Sequence, residues 1–275
     1  MTNIALIGAG GKMGYRLSSN LQQSDYAVSH VELSDTGRQR LSEGLGISCV
    51  DAKQAVPEAQ VVILAVPDTL VGRVAEELSP LMASGTMVIT LDAAAPFAGH
   101  LPNRDDLVYF VTHPCHPPIF NDETDLDAKR DYFGGAKAKQ HIVNALMQGP
   151  EELYALGEAI AKTIYAPVVR SHRVSVEQMA LLEPGLSETV CATLLVVMRE
   201  AMDEVVARGV DQECARDFLL GHMNILAAVI FEEQPGVFSD ACNKAIENGK
   251  PQLMRDDWKR VFEPEEIAES IRRIT

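Results

Sequence analysis

Residues 3–14, NIALIGAGGKMG, constrain the fold of this chain more than any other stretch. Ile4, Ala5, Leu6 and Ile7 make a short uninterrupted apolar run, the pattern of a strand buried on both faces of a parallel sheet. Gly8, Gly10, Gly11 and Gly14 follow at once, and a helix-compatible segment continues to about Leu21. A strand, a glycine turn and a helix start together make an anion site, because unpaired backbone N–H groups and the positive end of the helix dipole point at the turn. The spacing is G-x-G-x-x-x-G, a variant of the commoner dinucleotide fingerprint. Gly8 permits the turn, Gly10 the approach of a phosphate, and Gly14 the close packing of helix on strand, with Lys12 and Met13 lying between. The expected occupant is a dinucleotide pyrophosphate.

Downstream, short apolar runs alternate with helical periods. Strands are expected at residues 27–31, 47–50, 60–66, 86–91 and 107–112, and helices at 38–45 and 69–82. The clearest strand, 60–66, ends in Pro67, which cannot continue a central ladder. This alternation predicts an α/β fold: an N-terminal Rossmann domain with a doubly wound parallel sheet and its ligand at the carboxyl ends of the strands. Residues 121–139 read as a charged surface excursion, 140–147 as an apolar run, 150–164 as a helix and 166–170 as the last strand. Beyond Ser171 the pattern is all-helical. Ser175 and Gln178 form a capping box, Pro184 and Gly185 predict a kink, and Asp211 caps a later helix. The expected domains are therefore 1–170, dinucleotide-binding, and 171–275, a helical substrate and dimerisation domain. Segments 186–206 and 218–230 are apolar on more than one face, which predicts packing in a homodimer.

Charge and cysteine usage narrow the function. Net charge is −15, from 24 basic and 39 acidic residues, so neither nucleic acid nor an anionic membrane is an expected partner. An anionic substrate then needs local positive groups or a metal. No apolar run of about 18 residues and no charged-then-apolar leader is read, so the expectation is a protein that neither spans a membrane nor is secreted. Cys49, Cys115, Cys191, Cys214 and Cys242 are odd in number, scattered and without a C-x-x-C pair, which fits a reduced, cytoplasmic protein.

Glu32, at the end of the second expected strand, carries the cofactor choice. A carboxylate there accepts hydrogen bonds from the adenosine ribose and repels a 2′-phosphate, favouring NAD over NADP. Asp35 is the fallback carboxylate, and Ser34 with Arg38 is the competing phosphate cradle. Pro67 and Asp68 should border the nicotinamide half of the crevice; the alternative role for Asp68 is a helix cap. Residues 112–118, THPCHPP, follow a strand end on the same edge, and their prolines make a stiff polar loop. His113 and His116 there suit proton transfer or metal ligation.

These motifs, in an N-terminal dinucleotide fold followed by long helices, resemble the 6-phosphogluconate and β-hydroxyacid dehydrogenase superfamily over essentially the whole chain. Within it, GAGGKMG, VVILAVPD, THPCHPP and ALLEPGLSET resemble the group of D-apionate oxidoisomerases, NAD-linked enzymes of sugar-acid catabolism. The resemblance implies that Gly10 to Gly14, Glu32 and the neighbourhood of Asp68 hold NAD, and that His113, His116 and Glu183 face a sugar-acid substrate. The chain departs from the β-hydroxyacid dehydrogenases in one respect: it has no lysine in residues 163–243 to serve as base. Either a histidine takes the proton, or His113, His116 and Glu183 bind zinc or another divalent ion that acidifies the hydroxyl. THPC also resembles prephenate and arogenate dehydrogenases, whose substrate carboxylates would call on Arg173, Arg199 or Arg216. A non-catalytic NAD-sensing protein is the third reading, and the histidine loop speaks against it.

Overall fold

The computed structural model describes residues 1–275. In strand β1 (Asn3–Ile7), successive side chains enter opposite apolar layers. Ile4 and Leu6 pack in one, Ala5 and Ile7 in the other, which is why the run is apolar throughout rather than alternating. The chain continues through α1 (Lys12–Leu21), β2 (Ala27–Val31), α2 (Asp35–Leu45), α3 (Ala52–Ala55), β3 (Val61–Leu64), α4 (Asp68–Leu78), β4 (Met87–Thr90) and α5 (Ala94–Phe97). It then forms β5 (Val108–Pro114), α6 (Leu126–Arg130), β6 (Gln140–Gln148), α7 (Tyr154–Ile164), β7 (Val168–Arg173) and α8 (Val176–Ala180). Leu17 and Leu21 of α1 with Ile160 and Ile164 of α7 cover one face of the sheet; Val71 and Ala75 of α4 cover the other.

The seven strands form one sheet in the order β2-β1-β3-β4-β5-β6-β7. Pairs from β2 to β5 are parallel, β6 runs antiparallel to β5, and β7 is parallel to β6. Because β2 and β3 flank β1 on opposite sides, the order switches at β1. Their connections leave a crevice beyond Ile7 and Leu64, where ligands of doubly wound sheets bind.

Several elements differ from the sequence expectation. Residues 47–50 form no strand: Ile47 is buried, but the backbone contributes only single bonds such as the Val50 N–H to the His30 carbonyl. The helix expected over 69–82 ends at Leu78 and tightens into a 3₁₀ turn, Ser79–Leu81, where the Pro80 ring crowds the preceding turn. Strand β5 extends past Thr112 to Pro114, because β6 pairs alongside it (Thr112↔Asn144, His113↔Val143, Pro114↔Ile142). The excursion at 121–139 contains α6 and a loop gathered around Asp131.

Contacts divide the chain into one unit of Met1–Leu182 with Ala268–Thr275, and a second of Glu183–Ile267. The composition placed the boundary near Ser171, but that residue lies within β7, paired with Ile142, and Val176 and Met179 of α8 pack with Val111 and Val143. The Ser175–Gln178 capping box starts α8 as expected.

The regular elements of the second unit are all helices. After the wide π-helical turns of Leu181–Ala192 come α9 (Thr193–Ala207), α10 (Gln212–Ile230), α11 (Asp240–Leu253) and the start of α12 (Pro264–Ile274). Pro184 does not break the helix. A proline lacks an N–H and crowds the turn before it, and the wider turns accommodate both defects; the Thr189 hydroxyl donates to the Pro184 carbonyl at 2.6 Å. The helix Val176–Ala207 is long and apolar enough to cross a membrane by length and composition, which corrects the expectation that no stretch is. Such a helix also suits a protein interface. Between α9 and α10 runs an apolar groove of about 540 Å³, lined by Met198, Met202, Val205, Phe218 and Leu219, and Phe218 is 67% exposed.

Candidate active site at the carboxyl edge of the sheet

The nucleotide turn is built by backbone. Gly8 has φ +78°, and a side chain there would also strike the Ala65 carbonyl at the end of β3. A Cβ on Gly14 would collide with the Gly8 carbonyl, so helix and turn are as close as backbones allow. Gly11 is the N-cap of α1 and offers no side-chain oxygen, leaving the first-turn N–H groups to an anion. Met13 packs against the apolar layer beneath, while the Lys12 ammonium lies 4.7 Å from the Phe133 ring centroid.

Glu32 is 8% exposed and closes the turn. One carboxylate oxygen accepts the Gly10 N–H and the other the Ser34 N–H, each at 2.8 Å. Burial alone would raise its pKa; the N–H groups of Ser34 and Gly10 outweigh it and hold the carboxyl below its usual range. Ser34 caps α2 through the Gly37 N–H and Arg38 donates to the Glu32 carbonyl, so the competing phosphate cradle is engaged in local structure. Asp35 is the first residue of α2. Pro67 is the N-cap of α4 and Asp68 its first residue; both are exposed.

On the same edge stand the two histidines, with ring centroids 6.0 Å apart and planes nearly perpendicular. His113 lies in the paired part of β5, and His116 in the following loop with φ +60°. Nδ1 of His113 donates to the Leu91 carbonyl, and Nδ1 of His116 to the Phe133 carbonyl, both at 2.8 Å. A carbonyl only accepts, so each neutral ring carries its proton on Nδ1 and its lone pair on Nε2, the atom needed for a base or ligand. Asp92, just past β4, places Oδ2 3.6 Å from Nδ1 of His113 and is held by the Ala94 N–H at 2.6 Å. Sequence reasoning missed Asp92; its signal was an acidic residue directly after the apolar run 87–91. Beneath the histidines, Thr112 donates to Asn144 at 2.6 Å and Asn144 to Ser171 at 2.8 Å, fixing β5 to β6 and β7.

The sequence model described as the NAD binding domain of 6-phosphogluconate dehydrogenase matches residues 3–97, and that described as phosphogluconate dehydrogenase (decarboxylating) C-term matches 121–275. A D-apionate oxidoisomerase from Rhizobium rhizogenes is 72% identical over 275 residues, covering 100% of both chains. The chain belongs to the family of D-apionate oxidoisomerases. Another member, from Pectobacterium atrosepticum, is 41% identical over 97% of this chain and 93% of its own. The crystal structure of a semialdehyde dehydrogenase NAD-binding protein from Cupriavidus necator, in complex with calcium and NAD, matches with a TM-score of 0.99 at 70% identity, covering 100% of both chains.

Membership in this family agrees with what the remaining candidates do. Arg173 pairs with Glu151, Arg199 with Asp203 and Arg216 with Asp217, so the arginines that a prephenate-type substrate would call on are engaged at the surface. Glu183 lies in the π-helical stretch of the second unit, where the Ser187 hydroxyl donates to it at 3.3 Å.

Proposed function

We propose that this chain oxidises a hydroxyl group of D-apionate with NAD and then isomerises the resulting ketone. The observation that carries the reading is the pair His113 and His116, both with Nδ1 held by a backbone carbonyl, on the edge that carries the nucleotide turn. Bound NAD supplies the hydride acceptor. Hydride loss from an alcohol requires the hydroxyl proton to leave, and Nε2 of His113 is the group for it. The imidazolium then formed is stabilised by Asp92, 3.6 Å from the opposite ring nitrogen. His116 orients substrate oxygens from the loop. Glu183 is assigned a substrate-facing role only by the likeness of ALLEPGLSET to the family.

The donor set also fits a divalent cation. Imidazole nitrogens of His113 and His116 and the Asp92 carboxylate are ligand types that zinc or another divalent ion takes, the carboxylate being also a ligand type for calcium. Calcium accompanies NAD in the relative from Cupriavidus necator. Bound there, a cation supplies polarisation of the substrate oxygens. A homodimer built on the groove between α9 and α10, and a cytoplasmic setting for five cysteines that form no disulfide, complete the reading.

NADH formation tests it. Purified protein with NAD should reduce the cofactor with D-apionate and not with prephenate, and the product should carry a rearranged skeleton by mass spectrometry and NMR. Turnover of prephenate alone would replace the reading, and an absence of any turnover alongside tight NAD binding would favour a sensor.

A further inference from the structure

Phe133 sits in the loop between α6 and β6, far in sequence from both motifs, yet touches both. Its carbonyl accepts the Nδ1–H of His116 at 2.8 Å, and its ring lies 4.9 Å from the imidazole, tilted by 54°. From the cofactor side, Lys12 Nζ stands 4.7 Å and Arg16 Cζ 4.8 Å from the same ring centroid. The ring therefore sits between the nucleotide turn and the histidine loop. Cations at this distance from an aromatic face are attracted by its quadrupole.

Two further observations say that this contact is held in place. His116 has φ +60°, a left-handed conformation that a residue with a side chain keeps only where the surroundings impose it. The Phe133 backbone is itself anchored by Asp131, whose carboxylate accepts the N–H groups of Gly134 at 3.1 Å, Ala136 at 3.2 Å, Lys137 at 2.8 Å and Ala138 at 3.2 Å. Arg16, against the Phe133 ring, pairs with Asp131 at 3.5 Å and donates to the Gly134 carbonyl.

We propose that Phe133 is the positioning residue for His116: its carbonyl fixes the imidazole tautomer and its ring, backed by Lys12 and Arg16, fixes the imidazole plane. The proposal rests on the reading that His116 meets the substrate. It explains why a loop outside both motifs is so heavily tied down. It also gives the cofactor turn a physical connection to the substrate side that runs through one aromatic ring.

The test is a mutant cycle on the intact protein. Phe133→Leu keeps the carbonyl and removes the aromatic face; Phe133→Tyr keeps both. Phe133→Leu should lower kcat about ten- to a hundredfold while moving KM for NAD less than about threefold, as expected when a reacting group is displaced rather than a ligand lost. Phe133→Tyr should restore most of the rate, and Phe133→Leu should add nothing in a His116→Ala background. If Phe133→Leu turns over normally while His116→Ala does not, the positioning role is overturned and the site reading stands. If His116→Ala is itself fully active, the site reading falls and this proposal with it. Ring ¹⁵N chemical shifts of His116 in the unmutated protein give a check independent of folding: the Nδ1-protonated tautomer supports the proposal, and the Nε2-protonated one overturns it.

Discussion

Asp92 and His113 meet across the ends of two neighbouring strands, Oδ2 of the acid 3.6 Å from Nδ1 of the imidazole, while that N–H donates a hydrogen bond to the Leu91 carbonyl. On the proposed reading His113 is the base at Nε2 and Asp92 the charge behind it. His113→Ala should abolish turnover and leave NAD affinity within about twofold, since the ring borders the reacting end of the crevice. Asp92→Asn should retain binding and lower kcat about 10- to 100-fold, a typical loss when a supporting carboxylate is removed. Steady-state kinetics beside NAD titration checks both; normal turnover in His113→Ala would remove that residue from the mechanism.

NAD should be preferred over NADP. Glu32 is ionised and buried at the turn, where a 2′-phosphate would meet its charge. Glu32→Ser should narrow the preference by about ten- to a hundredfold in kcat/KM, mostly by weakening NAD, as loss of a charged hydrogen-bond partner costs about 1.5–3 kcal/mol. Equal kcat/KM for the two cofactors in the unmutated protein would contradict the assignment.

Activity should fall on exhaustive dialysis against a strong chelator and return with calcium or another oxygen-preferring divalent ion, measured as NADH formation with D-apionate. Asp92→Asn should weaken that rescue. Full activity in protein shown metal-free by elemental analysis leaves His113 as a metal-free base.

Acid should loosen the loop that carries Phe133. Burial alone would raise the pKa of Asp131, but the N–H groups of Lys137, Ala138 and Ala136 and the charge of Arg16 outweigh it and hold the carboxyl below its usual range. A carboxylate favoured in the fold stabilises fully above its unfolded pKa, about 3.9, and loses that contribution as pH falls through the lower native value. Thermal melts of the unmutated protein and Asp131→Asn should therefore differ most at neutral pH and converge below about pH 4. A gap that stays constant to acid pH would show that Asp131 acts by shape and not by charge.

The groove between α9 and α10 should be covered by a second copy of the chain. Light scattering at micromolar concentration should give the mass of a dimer, and Phe218→Asp, which replaces a 67% exposed phenylalanine in the groove with a charge, should shift it to monomer. A monomeric mass for the unmutated protein would end the proposal.

The nucleotide turn was legible because its elements are adjacent in sequence: strand, glycines and helix start need only local rules. His113 and His116 were legible because seven residues hold two imidazoles and three prolines. Asp92 was not, since only the pairing of β4 with β5 brings it beside His113. Phe133 was hidden for a similar reason, its contact arising from a loop folded around one carboxylate. The apolar run at 47–50 carried the composition of a strand without a partner to pair with. Pro184 was legible as an irregularity in the helix, but not the form it takes, a run of π turns that absorbs the missing N–H.

The antiparallel pairing of β6 with β5 carries a consequence for timescale. It turns His113 from a loop residue into one whose backbone moves only when the Thr112–Asn144 and His113–Val143 pairs open, so amides around it should exchange with solvent deuterium among the slowest in the first unit. His116, two residues past the end of β5 and outside the ladder, sits where exchange should be faster. The two imidazoles are thus held by different means, His113 by a strand ladder and His116 by a loop gathered around one carboxylate, so substitutions at Asp131 or Phe133 should displace His116 while leaving the backbone of His113 where it is.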